Sequence, residues 1–97
     1  MINGNLLSFL DKLNLGEELE VSFRGRTYLI QGYWKPIEGG KTCEHIEMFL
    51  VGGEHPGEVV FEADADSSSA CAILFRDAPI WDGLRFDEVE SEIEWIA

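Results

Sequence analysis

The sequence predicts an α+β domain: a four-stranded antiparallel sheet with helices packed on one face, in the order α-β-β-β-β-α-α. Apolar residues recur at helical spacing near both ends of the chain, while alternating patterns fill its middle. Turn residues divide the alternating region into two consecutive hairpins, without any βαβ alternation. The 97 residues, of which 45% are hydrophobic, provide enough apolar surface for one core. We therefore expect a single domain over residues 1–97.

The first predicted helix covers residues 5–13. Leu6, Leu10 and Leu13 are spaced to lie on one helical face, and Asn14 and Gly16 supply a stop signal. This helix is short and amphipathic, so it needs a sheet to pack against.

The first hairpin follows directly. Apolar and polar residues alternate over residues 18–23, which is the pattern of a half-buried strand. Arg24-Gly25 then predicts a tight turn, and residues 27–34 form the return strand. The loop over residues 35–41 separates this hairpin from the next.

The second hairpin consists of strands over about residues 43–51 and 58–63. Its turn contains Gly52, Gly53, Pro56 and Gly57, all of which favour turns. Two hairpins in succession favour one antiparallel sheet.

Two helices are predicted after the second hairpin. Asp66 or one of the serines at 67–69 can cap the first of them, which carries Ala70, Ile73 and Leu74 with Cys71 and Phe75 at its margin. In the last segment Phe86, Val89, Ile93 and Ile96 repeat at helical spacing, which predicts an amphipathic C-terminal helix with an acidic outer face.

The net charge of −12 is unevenly distributed along the chain. Residues 1–41 contain five acids and five bases, whereas residues 42–97 contain fourteen acids and only two bases. Direct nucleic-acid binding relies on Lys and Arg, so this balance argues against such binding and favours a basic protein partner. It also argues against an anionic membrane surface.

The lengths of the apolar runs and the composition of the first residues predict a cytoplasmic protein. No apolar run reaches the length of a membrane span, and residues 1–14 lack the basic and apolar regions of a signal peptide. Two cysteines, Cys43 and Cys71, are too few for a disulfide framework, so we expect reduced thiols.

Motifs for catalysis or cofactors are weak. Residues 39–42 (GGKT) lack the upstream glycine of a phosphate-binding loop, and residues 64–75 lack the glycine and final glutamate of a calcium loop. No serine lies in a G-x-S-x-G elbow. We therefore predict neither an enzyme nor a bound cofactor.

Two arrangements of cysteine and histidine stay open as alternatives. Cys43, His45, His55 and Cys71 have the residue types of a zinc site but irregular spacing, although Cys43 and His45 share one strand face. Cys71 with His55 is a second, catalytic alternative. The first supports a small-ligand or metal-binding domain on the open sheet face.

Carboxylates along a rigid scaffold can imitate a phosphate backbone and occupy the basic surface of a nucleic-acid-handling protein. A solvated helix face is the competing explanation of the same acids. Tyr33, Trp34, Trp81 and Trp95 are candidates for incomplete burial, and aromatic residues often anchor interfaces. The predicted partner-binding residues are Asp87, Glu88, Glu90, Glu92, Glu94, Glu44, Glu47, Glu58 and Glu62, with Trp81 and Tyr33 as anchors.

The segment APIWDGLRFDEVESEIEWI (Ala78–Ile96) resembles the ending of short, acidic, uncharacterised bacterial proteins of Firmicute-like or mobile-element origin. The resemblance is weaker over FRGRTYLIQGYW (Phe23–Trp34). It implies no activity and no site residues. In size and acidity alone, the chain is similar in type to toxin-immunity and anti-CRISPR proteins.

These observations predict a small inhibitor or immunity-type protein that neutralises a basic nuclease, toxin or defence effector by charge complementarity. The alternatives are the small-ligand or metal-binding domain and a housekeeping domain. The sequence leaves the oligomeric state open.

Overall fold

The sheet has five strands, and every pair of neighbouring strands is antiparallel. In this computed structural model, which describes residues 1–97, the strands are β1 (Leu19–Phe23), β2 (Arg26–Pro36), β3 (Thr42–Leu50), β4 (Val59–Ala65) and β5 (Glu94–Trp95), in the order β4-β3-β2-β1-β5. The helices are α1 (Leu6–Asn14), α2 (Ser68–Asp77) and α3 (Phe86–Val89), with short 3-10 helices at Glu38–Gly40 and Glu90–Glu92. The predicted α+β class is confirmed, and the strand number is corrected from four to five.

The β1–β2 hairpin forms as its turn residues predict. Phe23 pairs with Arg26, so Arg24 and Gly25 alone make the turn. Both have positive φ, 47° and 80°, which is the requirement of the two-residue turn that matches strand twist. The second hairpin, β3–β4, contains a bulge at which Val59 and Val60 lie opposite Phe49.

The core lies on one side of the sheet. Val21, Ile30 and Met48 belong to the same sheet face and are essentially inaccessible to solvent. Phe9 of α1 and Phe75 of α2 join them in one continuous cluster. The prediction that helices cover a single face is therefore confirmed, and the other face has no helix over it.

Helix α2 begins where the serine run predicts but presents a different face to the core. The Oγ of Ser67 accepts a hydrogen bond from the Ala70 N–H at 3.1 Å, which caps the helix. The core contains Phe75, with Cys71 and Ala72, whereas Ile73 and Leu74 are exposed. The predicted apolar face was wrong in part, because burying the larger Phe75 among aromatic residues removes more surface from water.

The predicted C-terminal helix is not continuous. Only α3 is α-helical; the chain then passes through the 3-10 turn and enters β5. Backbone hydrogen bonds from Ile96 N–H to Glu20 O and from Glu20 N–H to Ala97 O, at 2.8 and 2.7 Å, attach this end to β1. The segment forms a strand rather than a helix because these bonds provide partners for the backbone N–H and C=O groups of β1. Without β5, β1 would be an unpaired edge of the sheet. Phe86, Val89 and Ile93 are buried as predicted, but Ile96 is exposed.

Trp81 is a core residue and not a surface aromatic. Its side chain is 1% exposed, and its ring packs edge-on against four rings at centroid distances of 5.2 to 6.2 Å. These rings belong to Phe23, Tyr28, Phe75 and Phe86. The prediction of Trp81 as a partner anchor is corrected, because the tight turn at Asp82-Gly83 folds the tryptophan back onto the sheet.

Candidate functional site

The sheet face opposite the helices contains a cluster of polar side chains. The β2–β3–β4 register aligns Tyr33, His45 and Asp64 in one row, with Lys35 and Glu47 in the rows on either side. We call these five residues the open-face cluster. Strand alternation places them together, because they occupy positions of the same parity on each strand.

His45 lies at the centre of the open-face cluster. Its Nδ1 is 2.6 Å from an Asp64 carboxylate oxygen, and its Nε2 is 3.4 Å from Glu47 Oε1. The Tyr33 ring covers it at a centroid distance of 5.0 Å, and His45 is consequently 6% exposed although no helix covers this face. Two carboxylates compensate the polar ring atoms that burial removes from water.

Hydrogen bonds and ion pairs around His45 shift the pKa values of three neighbouring groups. The Tyr33 hydroxyl donates to Glu47 Oε1 at 2.8 Å, and this hydrogen bond raises the pKa of Tyr33. The Lys35 ammonium lies 2.8 Å from Asp64, which raises the pKa of Lys35. Hydrogen bonds from Lys35 and then His45 lower the pKa of Asp64. These contacts favour the protonated hydroxyl of Tyr33 and the charged forms of Lys35 and Asp64.

The contacts of His45 also concern Cys43, because this cysteine lies two residues before it on β3. Cys43 lies on the same strand face, as the sequence predicts, and pairs with Lys35 across the ladder. Both ring nitrogens of His45 face carboxylates, with Asp64 at Nδ1 and Glu47 at Nε2. The contacts within the open-face cluster hold its side chains in place and present charge on this face.

The four residues of the zinc alternative do not come together. Cys43 and His45 lie on the open face, whereas Cys71 lies on the helix side, with its Sγ 3.5 Å from the Glu44 carbonyl. Burial raises the pKa of Cys71, which opposes its use as a thiolate nucleophile with His55. His55 lies in the β3–β4 loop, and no group of three or more His, Cys, Asp or Glu side chains has a metal-binding arrangement.

The acids of the C-terminal segment (residues 78–97) are largely paired within the molecule. Arg24 donates to both carboxylate oxygens of Glu92, at 3.0 and 3.1 Å, and to Asp82 at 3.2 Å. These bonds lower the pKa of Glu92 and raise that of Arg24. Arg26 also lies 3.5 Å from Asp82. The β1–β2 turn thus supplies the bases that the second half of the sequence lacks.

The remaining predicted acids of this segment do not form one helical face. Asp87 contacts Arg76 at 3.4 Å, Glu90 contacts the Met1 amino group at 2.6 Å, and Glu94 lies on β5 opposite Ser22. Glu88 accepts a hydrogen bond from the Arg85 backbone N–H at 3.0 Å, which caps α3. The prediction of a single acidic helix face is therefore wrong, because these acids make separate local contacts.

The predicted acids of the β3–β4 hairpin (residues 42–66) divide between the two sheet faces. Glu47 and Glu62 pair directly on the open face, whereas Glu44 lies three positions from Glu47 and so on the helix side. Glu58 and Glu62 are exposed, and no basic group lies within ion-pair distance of either. Glu44 also has no basic partner but is half-buried, so Glu58 and Glu62 are the exposed, uncompensated acids of the predicted set on this hairpin.

Two aromatic residues at the end of β2 are exposed. Tyr33 is 45% and Trp34 is 66% exposed, which confirms the prediction that an aromatic residue at this end lies off the core. Sequence reasoning missed Lys35 and Asp64, because the predicted strands ended at residues 34 and 63. Continuing the alternation by one or two residues would have placed both beside His45.

The surface offers no enclosed apolar pocket. The largest depression lies at the β3–β4 loop and is lined by residues 54–58, none of which is hydrophobic. Small-molecule sites are mostly apolar and concave, so this surface does not favour the small-ligand alternative.

No family model, curated protein or solved structure matches the chain. None of its helices combines the length and apolar character needed to cross a membrane.

Proposed function

We propose that this protein is a small protein-binding module that neutralises a basic nucleic-acid-handling partner, as an inhibitor or immunity-type protein does. The partner would be a nuclease, toxin or defence effector of the cytoplasm. Binding would rest on charge complementarity and on exposed aromatic anchors, without catalysis.

The observation that carries this proposal is how the charges are paired. Six of the seven Lys and Arg side chains form ion pairs with acids of the same chain, and Lys41 is the exception. Five acids without such a basic partner lie on the β3–β4 hairpin, and others, such as Asp11 and Glu18, lie elsewhere; the five are Glu44, Glu54, Glu58, Glu62 and Asp66. A surface left negative after internal pairing attracts a basic partner and speeds its encounter.

Exposed aromatic residues support a protein partner in particular. Tyr33 and Trp34 end β2 beside the same hairpin, and Ile37 is also exposed in the following loop. Tyr and Trp are enriched among residues that dominate binding energy. The hydrogen bond from Tyr33 to Glu47 holds one of these rings before any partner arrives, which lowers the entropy cost of binding.

Affinity capture from a nuclease-treated lysate of the source cells, at low salt, tests the proposal. We expect recovery of one basic nuclease or toxin, whose activity the protein then inhibits. The association rate should fall steeply as salt rises, because screening weakens steering between exposed charges. Capture of no basic protein would contradict the proposal.

Charge reversal tests whether the acids of the β3–β4 hairpin form the surface that attracts the partner. With the captured partner, we expect the double variant Glu58→Lys, Glu62→Lys to reduce the association rate about tenfold, within the range of steering effects. The matched control is Asp11→Lys, Glu18→Lys, which changes net charge equally at two exposed acids without a basic partner. Equal losses in both variants would mean that net charge alone matters.

A further inference from the structure

We propose that the partner binds at the free edge of β4, adding an extended basic segment to the sheet as a sixth strand. This inference rests on the proposed function and specifies its mode of binding. Three features of β4 carry it: an open backbone edge, the direction of its backbone groups, and the charges along it.

The two edges of the sheet differ. At one edge, the two-residue strand β5 pairs with β1. At the other edge, β4 extends over residues 59–65 and no strand pairs with its outer side. An unpaired edge strand presents a row of free N–H and C=O groups, which is the template for strand addition.

The ladder identifies which backbone groups are free. Leu50 exchanges hydrogen bonds with the start of the β4 segment, accepting from Gly57 N–H at 2.8 Å and donating to Glu58 O at 2.9 Å. The backbone N–H and C=O groups of every second residue of β3 therefore point toward β4. The backbone groups of their partners Phe61 and Ala63 point back toward β3. The residues between and after them must direct their backbone groups outward. These are Glu62 and Asp64.

The charges along β4 select the occupant. Residues 44–66 include seven acids and no Lys or Arg. Glu58, Glu62 and Asp66 are exposed and have no basic partner, whereas Asp64 is held by Lys35 and His45. Opposite charges on neighbouring strands stabilise pairing. A strand with Lys or Arg at alternate positions complements this edge.

A second copy of this chain fits the same edge poorly. Antiparallel pairing of two β4 strands centred on Glu62 sets Glu62 against its own copy. Moving the register by one pair instead sets Glu62 against Asp64. Like charges directly opposite each other destabilise a sheet, so the edge disfavours self-pairing and favours a basic segment.

The first test uses a synthetic peptide with alternating lysine and valine, Lys-Val-Lys-Val-Lys-Val-Lys, added to the full chain labelled with ¹⁵N. We expect amide hydrogen exchange at Glu62 and Asp64 to slow at least about tenfold at saturation, since both amides acquire acceptors. Exchange at Phe61 and Ala63 should change little, because their amides already face β3.

A backbone-modified peptide separates strand addition from charge attraction. N-methylation of alternate residues on one peptide edge removes hydrogen-bond donors and leaves every charge in place. We expect it to bind at least about tenfold more weakly, in keeping with several lost hydrogen bonds. Equal affinity of the two peptides, without exchange protection at Glu62, would overturn the inference and leave the proposed function intact.

The second test applies to the captured partner. Glu62→Pro removes the outward N–H together with the charge, whereas the control Glu62→Gln removes only the charge. Pro is tolerated on edge strands, and unchanged amide spectra of β1 and β2 verify the fold. Partner binding about tenfold weaker for Glu62→Pro than for Glu62→Gln supports strand addition. Equal binding overturns it, even where the captured partner upholds the proposed function.

Discussion

The C-terminal segment and the β3–β4 hairpin are both strongly acidic, yet they use their acids differently. In the first, arginines of the β1–β2 turn and of the neighbouring helices pair with the carboxylates, and the tryptophan beside them is buried. In the second, several carboxylates have no basic partner, and aromatic residues nearby are exposed. The number of acids in a segment therefore does not determine its uncompensated charge, which depends on where the bases lie in three dimensions.

The largest expected effect sharpens the contrast between buried and exposed tryptophan. Trp81→Ala should destabilise the protein by about 3–5 kcal/mol, because it leaves a large cavity among four aromatic rings. Trp34→Ala, at an exposed position, should change stability by no more than about 0.5 kcal/mol. Urea unfolding followed by circular dichroism measures both. A similar loss in the two variants would show that the contrast is wrong.

Trp81→Phe refines this test. The indole Nε1 of Trp81 is buried and has no hydrogen-bond partner, so phenylalanine removes a polar group that gains nothing in the core. We expect a loss clearly smaller than that of Trp81→Ala in the same unfolding experiment.

A smaller effect separates paired from unpaired acids. Glu92→Gln removes both hydrogen bonds from Arg24 and should lower the urea midpoint, whereas Glu62→Gln should leave it unchanged or raise it. The loss of stability caused by Glu92→Gln should be smaller in about 1 M salt, because that ionic strength screens exposed ion pairs. A larger loss for Glu62→Gln would reverse the distinction between the two regions.

The smallest effect concerns pH. Arg24 lowers the pKa of Glu92 in the folded state, so the pair contributes stability above the ordinary glutamate pKa of about 4.3. That contribution is lost as the pH falls through the lowered value. The urea midpoint of the wild type should therefore fall more steeply below about pH 4.5 than that of Glu92→Gln. Parallel curves would contradict the pairing.

Asp64 gives the same test on the β3–β4 hairpin, where it is the acid that forms an ion pair with a lysine. Its pKa is lowered by Lys35 and His45, so Asp64→Asn should also flatten the acid limb of the stability curve.

Local patterns predicted the two hairpins and the first two helices, since Arg24-Gly25 and the serine run act within a few residues. Strand β5 escaped prediction because it consists of two residues and depends on hydrogen bonds to Glu20. The pairing of Arg24 with Glu92 was equally hidden, since 68 positions separate them. Only the folded chain places such residues together, whereas Cys43 and His45 share a face by strand alternation alone.

The surface exposure expected for the predicted partner-binding residues was correct in part. Glu58, Glu62 and Tyr33 lie exposed, but Trp81 is buried and the C-terminal acids are engaged within the chain. The partner itself stays a prediction.

Strand β5 has a consequence for the order of folding. The β1–β2, β2–β3 and β3–β4 pairings each close a short loop, whereas β5 returns to β1 from the far end of the chain, so its pairing carries a larger loop-closure entropy. We expect the four-stranded meander to form first and the C-terminal segment to dock last. The β1 edge is then exposed during folding and becomes closed only in the finished molecule, whereas the β4 edge is open at every stage.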